Sequence, residues 1–489
     1  MTSRVEGSSV PAVVIAAPSS GSGKTTVATG LMGALRAAGD RVAPFKVGPD
    51  YIDPGYHALA AGLPGRNLDA VMVGADRIGP LFLHGSAGCD IAVVEGVMGL
   101  FDGKIDMSGA GEASAEGSTA RVAAALGAPV VLVVDARGHS QSLAAVLHGF
   151  STFDSSVRIG GVVLNRVGSP RHEEVLRQAC ERVGIPVLGS LPRMSELAVP
   201  SRHLGLITAL EHGGRANAAV DAMADLVRAH VDLGAIRALA RSSVTGTAWN
   251  ASTEVGGRKV GGTEVGGTEV GTRDAGSPVI AIAGGPAFTF GYAEHTELLR
   301  AAGAEVAVFD PLTDGLPEDT SGVIVPGGFP EEHAEALAGN RELLRDVRRL
   351  ADRRIPIHAE CAGLLYLSRF LNGHAMAGVI DVDAKFGSKL TLGYRDAVAL
   401  EDSVLFEAGT RVTGHEFHRT MLVESGIEHP APAWGWRNSS AVATQRTVRE
   451  GFVQAGVHAS YLHTHPAGSP QSVRRFVDAC SRYAAAHAR

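Results

Sequence analysis

Cysteine is scarce in this chain. The 489 residues contain four cysteines, Cys89, Cys180, Cys361 and Cys480, and none of them forms a CxxC pair. This spacing argues against a disulfide framework and against a cysteine-ligated zinc site, and it is typical of a chain kept reduced. We therefore expect a cytoplasmic protein whose cysteines are free thiols.

Aromatic residues, basic clusters and long apolar runs are also few. Aromatic residues make up 5% of the chain, and the formal net charge is −7 without a basic block. This composition gives little support for a nucleic-acid surface. No run reaches the ~18 apolar residues of a membrane span, and residues 1–12 lack the apolar segment of a signal peptide. The sequence thus predicts globular domains that act on small molecules, without a nucleic-acid or membrane partner.

Short apolar segments alternate with stretches of helical period along most of the chain. Strands that are apolar throughout and separated by helices predict an α/β fold with parallel sheets buried on both faces. The predicted strands are residues 13–17, 42–45, 91–95, 129–135, 160–164 and 187–191, then 279–283, 306–309, 322–325 and 355–359. Further on, we expect strand-rich runs at 378–394 and 412–423, and helices at 341–354 and 472–487.

A glycine-rich segment interrupts this alternation between residues 242 and 277. Part of it is a near-repeat of five residues, EVGGRKVGGTEVGGTEVG, with few large apolar groups. Such a segment buries too little apolar surface to offset the entropy lost on ordering. It predicts a flexible linker between an N-terminal domain, 1–241, and a C-terminal domain, 278–489.

A phosphate-binding loop follows the first predicted strand. The run Gly21-Ser22-Gly23-Lys24-Thr25-Thr26 offers backbone N–H groups, a helix N-terminus, a lysine and a hydroxyl for Mg²⁺. The full pattern requires glycine at position 18, where this chain has Pro18. The remaining GxGKT core between a strand and a helix still predicts that ATP binds here.

Four carboxylates follow the next two strands of this domain. Asp50 and Asp53 come after the second strand, and Glu95 and Asp102 come at the end of the third. Ligands of open α/β sheets bind at the carboxyl ends of the strands. Because Mg²⁺ takes one or two carboxylates beside phosphate and water, we expect Thr25, Asp50 and Glu95 to hold it. Each carboxylate alone could instead cap a loop.

Cys361 lies at a predicted turn from strand to helix in the C-terminal domain. Such a turn exposes the sulfur near the positive end of a helix, and both effects favour the thiolate. The backbone N–H groups of Gly328 and Ala362 are candidate oxyanion donors. The base is expected to be His463, with His465 as a second imidazole nearby. The competing interpretations are a buried small hydrophobe and a structural histidine.

Eight segments taken together resemble one enzyme family. They are PSSGSGKTT, FKVGPDYIDPGYH, VVEGVMGLFDG, GVVLNRVGSPRH, SRHLGL, PGGFPE, AECAGLLYL and YLHTH, in this order along nearly the whole chain outside the linker. The family is that of the cobyrinate and hydrogenobyrinate a,c-diamide synthases of cobalamin biosynthesis.

The resemblance implies a two-domain ligase. A dethiobiotin-synthetase-like domain and a class I glutamine amidotransferase domain would amidate the a and c acetate side chains of a corrinoid, using ATP, Mg²⁺ and glutamine through an acyl phosphate. Cys361 matches the family's nucleophile and His463 its activating histidine. The carboxylates for ATP and substrate chemistry match Asp50, Asp53, Glu95 and Asp102. Asn165 matches a residue that contacts adenine in related ATPases.

Two departures affect the thiol site. Many members have glycine where this chain has Ala362, which tolerates a positive φ less readily. Ordinary class I amidotransferases carry a glutamate two residues after the catalytic histidine, where this chain has His465. The family characteristically lacks that glutamate, so a complete Cys-His-Glu triad is not expected at these positions.

Three other functions remain as alternatives. A regulatory P-loop ATPase would carry a second lysine early in the loop, where this chain has Pro18, Ser19 and Ser20. The GPDYIDP segment and the double-histidine segment favour the a,c-diamide branch over the later cobyrate-forming amidase. A nickel-sirohydrochlorin amidating enzyme stays open. The sequence is compatible with a homodimer and does not fix whether the corrinoid carries cobalt.

Overall fold

The computed structural model describes residues 9–104, 114–193, 201–202, 205–206, 208, 214–256, 277–424, 430–437 and 447–487. The chain forms two compact units, Met1–Trp249 and Asn250–Arg489. Each unit is built around a largely parallel sheet, as the alternation of apolar and helical segments predicts.

The first unit contains a seven-stranded parallel sheet in the order β3-β2-β4-β1-β5-β6-β7. Its strands are β1 Ala12–Ala16, β2 Val42–Val47, β3 Arg66–Leu68, β4 Ile91–Glu95, β5 Val130–Asp135, β6 Ile159–Val167 and β7 Val187–Pro192. A two-stranded ribbon follows, β8 Ser201–Arg202 and β9 Gly205–Leu206. Strands β1, β2 and β4 are buried along their whole length, which explains why their sequences are apolar apart from Lys46 in β2 and Glu95 at the end of β4.

Helices cover the sheet of the first unit. They are α1 Lys24–Ala37, α2 Asp53–Ala61, α3 Ala70–Val73, α4 Ile78–Gly85, α5 Thr119–Leu126, α6 Leu143–Thr152, α7 Pro170–Arg182, α8 Gly214–His230 and α9 Leu233–Leu239, with a 3₁₀ turn at Ala75–Arg77. Helix α1 buries Leu31 and Leu35 and packs closely on α8.

The second unit contains a six-stranded sheet in the order β11-β10-β12-β13-β21-β20, parallel except for the edge strand β20. Its strands are β10 Val279–Ala283, β11 Glu305–Phe309, β12 Thr320–Val325, β13 Ile357–Glu360, β20 Phe452–Gln454 and β21 Val457–Ser460. A second, mostly antiparallel sheet joins β14 Phe370–Leu371, β15 His374–Ala375, β16 Val382–Ala399, β17 Arg411–Glu424, β18 Trp434–Arg437 and β19 Thr447–Glu450.

The helices of the second unit are shorter on average than those of the first. They are α10 Ala251–Glu254, α11 Ala293–Ala301, α12 Ala334–Gly339, α13 Arg341–Asp352, α14 Ala362–Leu367 and α15 Pro470–His487, with 3₁₀ turns at Pro330–Glu332 and Pro466–Gly468. The predicted helices at 341–354 and 472–487 correspond to α13 and α15.

The ten predicted strands are all present, with ends that differ by at most three residues. Strand β3 escaped the sequence analysis because its three residues, Arg66–Leu68, show no apolar run. It forms because its backbone pairs with β2 at the sheet edge. Pairing with a neighbouring strand, and not the local sequence pattern, therefore determines that these residues form a strand.

The structure shortens the predicted linker at its N-terminal end. Ser243 N donates to Leu126 O at 2.9 Å, and Trp249 is 3% exposed within the first unit. In the second unit Val255 is 2% exposed, and Arg474 Nη1 donates to its carbonyl at 2.9 Å. Flexibility was therefore wrongly predicted for 242–256, where a few apolar side chains are enough to anchor the backbone. Residues 257–276, with most of the repeat, lie outside the described residues.

Within the described ranges, no helix is both long enough and apolar enough to cross a membrane.

Two helical glycines should respond to alanine in opposite directions. A Cβ at Gly30 in α1 would lie 2.4 Å from the carbonyl oxygen of Met223 in α8, whereas a Cβ at Gly149 in α6 would meet no described atom within 4 Å. We expect Gly30→Ala to lower the free energy of unfolding by about 1–3 kcal/mol. Gly149→Ala should raise it by about 0.5–1 kcal/mol, because alanine costs less backbone entropy in a helix. Thermal unfolding midpoints of the two variants check this; equal shifts would contradict the α1–α8 packing.

Candidate active sites

The phosphate loop turns between β1 and α1 on two glycines. Gly21 and Gly23 have φ values of 78° and 97°, a conformation that favours glycine. Ser22 Oγ donates to Ser19 O at 2.9 Å. Lys24 Nζ donates to Met98 O at 2.6 Å, in the loop after β4. The lysine is therefore held against the loop, at the carboxyl end of the sheet where the sequence placed it.

Asn165 and Arg166, at the end of β6, support the phosphate loop from the side. Asn165 Nδ2 donates to Ser22 O at 2.9 Å, and Arg166 Nη1 donates to Gly21 O at 3.0 Å. A Cβ at Gly23 would lie 2.2 Å from Asn165 Nδ2, so this position requires glycine. The described contact of Asn165 is with the loop backbone; its contact with adenine stays a prediction.

A buried polar cluster lies beside the first turn of α1. Thr25 Oγ1 donates to Glu95 Oε1 at 2.6 Å and lies 3.3 Å from Asp53 Oδ2. The other oxygen of Glu95 is 2.6 Å from His57 Nε2. Lys46 Nζ is 3.3 Å from Asp53 and 3.7 Å from Glu95. The sequence analysis did not single out Lys46 or His57, although a lone lysine in the apolar strand β2 was an available signal.

Burial and mutual attraction set the charges of this cluster. Burial favours neutral Lys46, but the carboxylates of Glu95 and Asp53 outweigh it and raise the lysine pKa. Burial also opposes ionisation of Glu95, but Lys46 and the hydrogen bond from His57 lower its pKa to about 2. The pKa of Asp53 is raised well above its usual value by burial and then by Asp50 and Glu95. Glu95 is thus the firmly ionised carboxylate.

Two of the predicted carboxylates shape loops. Asp50 Oδ1 accepts hydrogen bonds from Ile52 N and Asp53 N, both at 2.9 Å, and so begins α2. Asp102 Oδ2 accepts a hydrogen bond from Gly99 N at 2.9 Å. The structure thus places Asp53 and Glu95, rather than Asp50 and Glu95, beside the hydroxyl of Thr25.

The oxygen atoms at Thr25 suit a magnesium ion that shares its shell with phosphate. Among the described residues, no three or more His, Cys, Asp or Glu side chains are arranged to hold a metal ion by themselves. Mg²⁺ at a phosphate site needs few protein ligands, because phosphate oxygens and water complete its octahedron. Thr25 Oγ1, Glu95 and Asp53 are the donors that fit this use.

Cys361 follows β13 in a strained backbone conformation. Its φ is 50°, which is rare for a residue with a side chain, and its N–H donates to Ser460 O at 2.7 Å. The positive φ thus falls on the cysteine itself and not on Ala362, which begins α14. All four cysteines are free thiols, as predicted.

The predicted exposure of the Cys361 sulfur is wrong. Cys361 is 3% exposed, and its thiol donates to Phe417 O of β17 at 3.8 Å. Burial raises the pKa of this thiol, and Glu331 raises it further. The backbone N–H of Ala362 lowers the pKa, but by less than burial and Glu331 raise it. The turn geometry does not expose the sulfur because β17 covers it. The thiol therefore needs a base to ionise.

His463 is held at the same edge of the sheet as Cys361. It follows β21, the parallel neighbour of β13, and it is completely buried. Its backbone pairs with His415 of β17 through two hydrogen bonds of 2.9 Å. A Cβ at Gly327 would lie 2.4 Å from His463 Cε1, and one at Gly328 would lie 2.1 Å from Ala287 O. These glycines allow the close approach of the loop, while the oxyanion role of Gly328 and Ala362 stays a prediction.

His465 has a different environment. Its Nδ1 accepts a hydrogen bond from Ala467 N at 3.2 Å and caps the Pro466–Gly468 turn. Its ring centroid lies 4.1 Å from that of Tyr292. Burial lowers the pKa of His465 to about 4. These contacts describe a packed structural histidine.

Comparison with known proteins agrees with this division of the chain. A family model described as the CobQ/CobB/MinD/ParA nucleotide binding domain matches residues 13–207, and one described as the CobB/CobQ-like glutamine amidotransferase domain matches residues 279–471. The chain therefore joins a nucleotide-binding domain to a glutamine amidotransferase domain.

Several relatives match over almost the full length. The hydrogenobyrinate a,c-diamide synthase of Mycobacterium tuberculosis is 58% identical, over 96% of this chain and 97% of its own length. That of Streptomyces coelicolor is 55% identical, over 98% and 99%. The cobyrinate a,c-diamide synthase of a Synechococcus strain is 39% identical, over 96% and 98%. The chain belongs to the family of hydrogenobyrinate and cobyrinate a,c-diamide synthases, which confirms the resemblance seen in the sequence.

Glu450, near the thiol site, should make the stability of the chain depend on pH. It accepts hydrogen bonds from Ser460 Oγ and Tyr461 N, both at 2.7 Å, and burial raises its pKa from 4.5 to about 7. Between these values the folded state keeps a proton that the unfolded state releases, so stability falls as the pH rises from about 4.5 to about 7.

We expect Glu450→Gln to remove this loss. The free energy of unfolding of the variant, relative to that of the parent, should therefore rise by up to roughly 3 kcal/mol from pH 4 to pH 8. Urea titrations of both proteins across this range measure the difference. A gap that stays constant with pH would contradict the raised pKa.

Proposed function

We propose that this chain amidates the a and c acetate carboxylates of hydrogenobyrinate, with ATP and glutamine, in cobalamin biosynthesis. One observation carries the proposal: a phosphate loop beside an ionised, lysine-paired carboxylate occurs in one unit, and a strained cysteine with a histidine at the same sheet edge occurs in the other. Relatives named for hydrogenobyrinate are 58% and 55% identical, against 39% for one named for cobyrinate. This difference supports the metal-free corrinoid, with cobyrinate as the second candidate.

The second unit would release ammonia from glutamine. The sulfur of Cys361 attacks the side-chain amide carbon while His463 accepts the thiol proton. Breaking the C–N bond returns that proton to the leaving nitrogen, so ammonia departs and a thioester remains. Water then hydrolyses the thioester to glutamate and restores the thiol. Because Phe417 O holds the thiol hydrogen, attack requires the sulfur to leave this contact.

The first unit would activate the acceptor. A substrate carboxylate oxygen attacks the γ-phosphorus of ATP, ADP leaves, and an acyl phosphate forms; ammonia then displaces phosphate to give the amide. The loop Gly21–Thr26 would hold the phosphates, with Lys24 at the β and γ groups. Mg²⁺, held by Thr25, Glu95 and Asp53, would neutralise phosphate charge. Positioning and charge neutralisation supply most of the rate enhancement in such transfers.

The two units should fail separately when their key residues are replaced. Cys361→Ala should abolish glutamine-dependent amidation and retain amidation with ammonium, since ammonium bypasses the thiol. Lys24→Ala should abolish amidation from both nitrogen sources, because the carboxylate is no longer phosphorylated. Mass spectrometry of reactions that offer hydrogenobyrinic and cobyrinic acids side by side measures both the amides formed and the preferred ring.

Circular dichroism establishes that each variant is folded. A folded Cys361→Ala protein that has lost ammonium-dependent amidation would contradict the division of labour. Absence of amidation of either corrinoid by the parent protein would overturn the proposed function.

A further inference from the structure

A carboxylate on the strand that carries the nucleophile lies beside the candidate base. Glu360 Oε2 is 3.7 Å from His463 Nδ1. The other oxygen, Oε1, accepts hydrogen bonds from Thr464 Oγ1 at 3.0 Å and from Thr464 N at 3.2 Å. The residue that follows the base thus ties the carboxylate in place. Neither the sequence motifs nor the proposed function assigns a role to Glu360.

We propose that Glu360 is the positioning carboxylate of His463 and completes the glutaminase group from the nucleophile strand. The inference rests on the proposed function, because it concerns the base of that reaction. It explains how Cys361 and His463 can act together although His465 stands where ordinary class I amidotransferases have a glutamate.

The topology makes this arrangement available. Strands β13 and β21 are parallel neighbours, and Glu360 pairs with Ser460 in their register. Glu360 is therefore the last residue of β13, level with the last residue of β21, and His463 and Thr464 follow a few residues beyond. A carboxylate here reaches the imidazole across one strand spacing, whereas the usual glutamate reaches it from the histidine's own loop.

Glu360 keeps a negative charge within a ring of imidazoles. Burial opposes its ionisation, but the imidazoles of His358 and His463, 3.3 and 3.7 Å away, hold its pKa well below the usual range. Burial lowers the pKa of His295 in α11 to about 4, that of His458 in β21 to about 3, and that of His465 to about 4. These three stay neutral at neutral pH.

Of the other described groups near the reacting pair, Arg395 is a cation, and it is paired with Glu416 at 2.6 Å. Burial lowers the pKa of His415, which faces His463 from β17, to about 3. Glu331 and Glu450 lie near enough to Cys361 to raise its pKa. The carboxylate of Glu360 is therefore the group that stabilises a positive charge on His463.

The contact decides what His463 can do. A carboxylate at Nδ1 fixes the tautomer and leaves Nε2 as the nitrogen for the thiol. The same negative charge stabilises the imidazolium and makes the ring a stronger base. A buried thiol with a raised pKa needs such a base.

The test is steady-state glutaminase kinetics of Glu360→Gln in the full chain, with Glu450→Gln as the matched control. Both variants neutralise a glutamate near the thiol, but the contacts of Glu450 are with Ser460 and Tyr461. For Glu360→Gln we expect kcat to fall about 10²-fold, the lower range for acid–base groups. KM for glutamine should stay within about threefold, and ammonium-dependent amidation should not change, because the first unit is intact. Glu450→Gln should not lower glutaminase kcat, because removing a negative charge near the thiol does not disfavour the thiolate.

The pH profile separates a positioning role from a structural one. Without the negative charge of Glu360 beside it, the His463 ring is protonated less favourably, so the acid limb of kcat/KM should move down by roughly one pH unit. Glu360→Asp keeps the negative charge, so its kcat should be at least about tenfold higher than that of Glu360→Gln. A Glu360→Gln protein with kcat within threefold of the parent, or with a reduced rate and an unmoved acid limb, overturns the inference.

Thr464→Val provides the decision if Glu360→Gln does not fold. It removes the hydroxyl donor to Glu360 and leaves the charge. The inference requires kcat to fall at least about threefold with KM nearly unchanged, and an unchanged kcat overturns it. If the parent protein itself has no glutaminase activity, the proposed function is overturned. If the parent is active and the Glu360 variants are equally active, only the role of Glu360 is overturned.

Discussion

Burial of the parallel strands on both faces constrains where this chain can place chemistry. Strands β1, β2 and β4 run through the core of the first unit, so nearly all of their side chains are apolar, and β12 and β13 bury apolar side chains in the core of the second unit. Polar residues are accommodated where the strands end. Lys24, Glu95, Cys361 and His463 all lie at or just beyond such ends. Both candidate sites follow from this single constraint, although their chemistry is unrelated.

Each site keeps a buried charge by surrounding it with partners. In the first unit Lys46 lies among carboxylates and holds Glu95 ionised, with His57 on the far oxygen. In the second unit Glu360 lies among imidazoles and next to Thr464. A buried charge is costly unless it is paired and hydrogen-bonded. These networks therefore fix geometry as well as charge, and replacing one member changes the basicity of another.

The sequence predicted what local patterns can encode. The phosphate loop, the strand ends, Cys361 and His463 were all found from residues close together in the chain. The contacts that set their chemistry join distant segments. Phe417 covers the thiol from 56 residues away, and Thr464 meets Glu360 across 104 residues. No periodicity reports such pairings, so the burial of the thiol, the place of Asp53 beside Thr25 and the carboxylate of His463 required the structure.

The most direct measurement follows two isotopes through a single turnover. The corrinoid carries ¹⁸O in its a and c carboxylates, and glutamine carries ¹⁵N in its side-chain amide. If the first unit phosphorylates the carboxylate and the second supplies the nitrogen, each new amide contains ¹⁵N and each phosphate released contains one ¹⁸O. Phosphate without ¹⁸O would contradict activation by phosphorylation, and amides without ¹⁵N would contradict supply from glutamine.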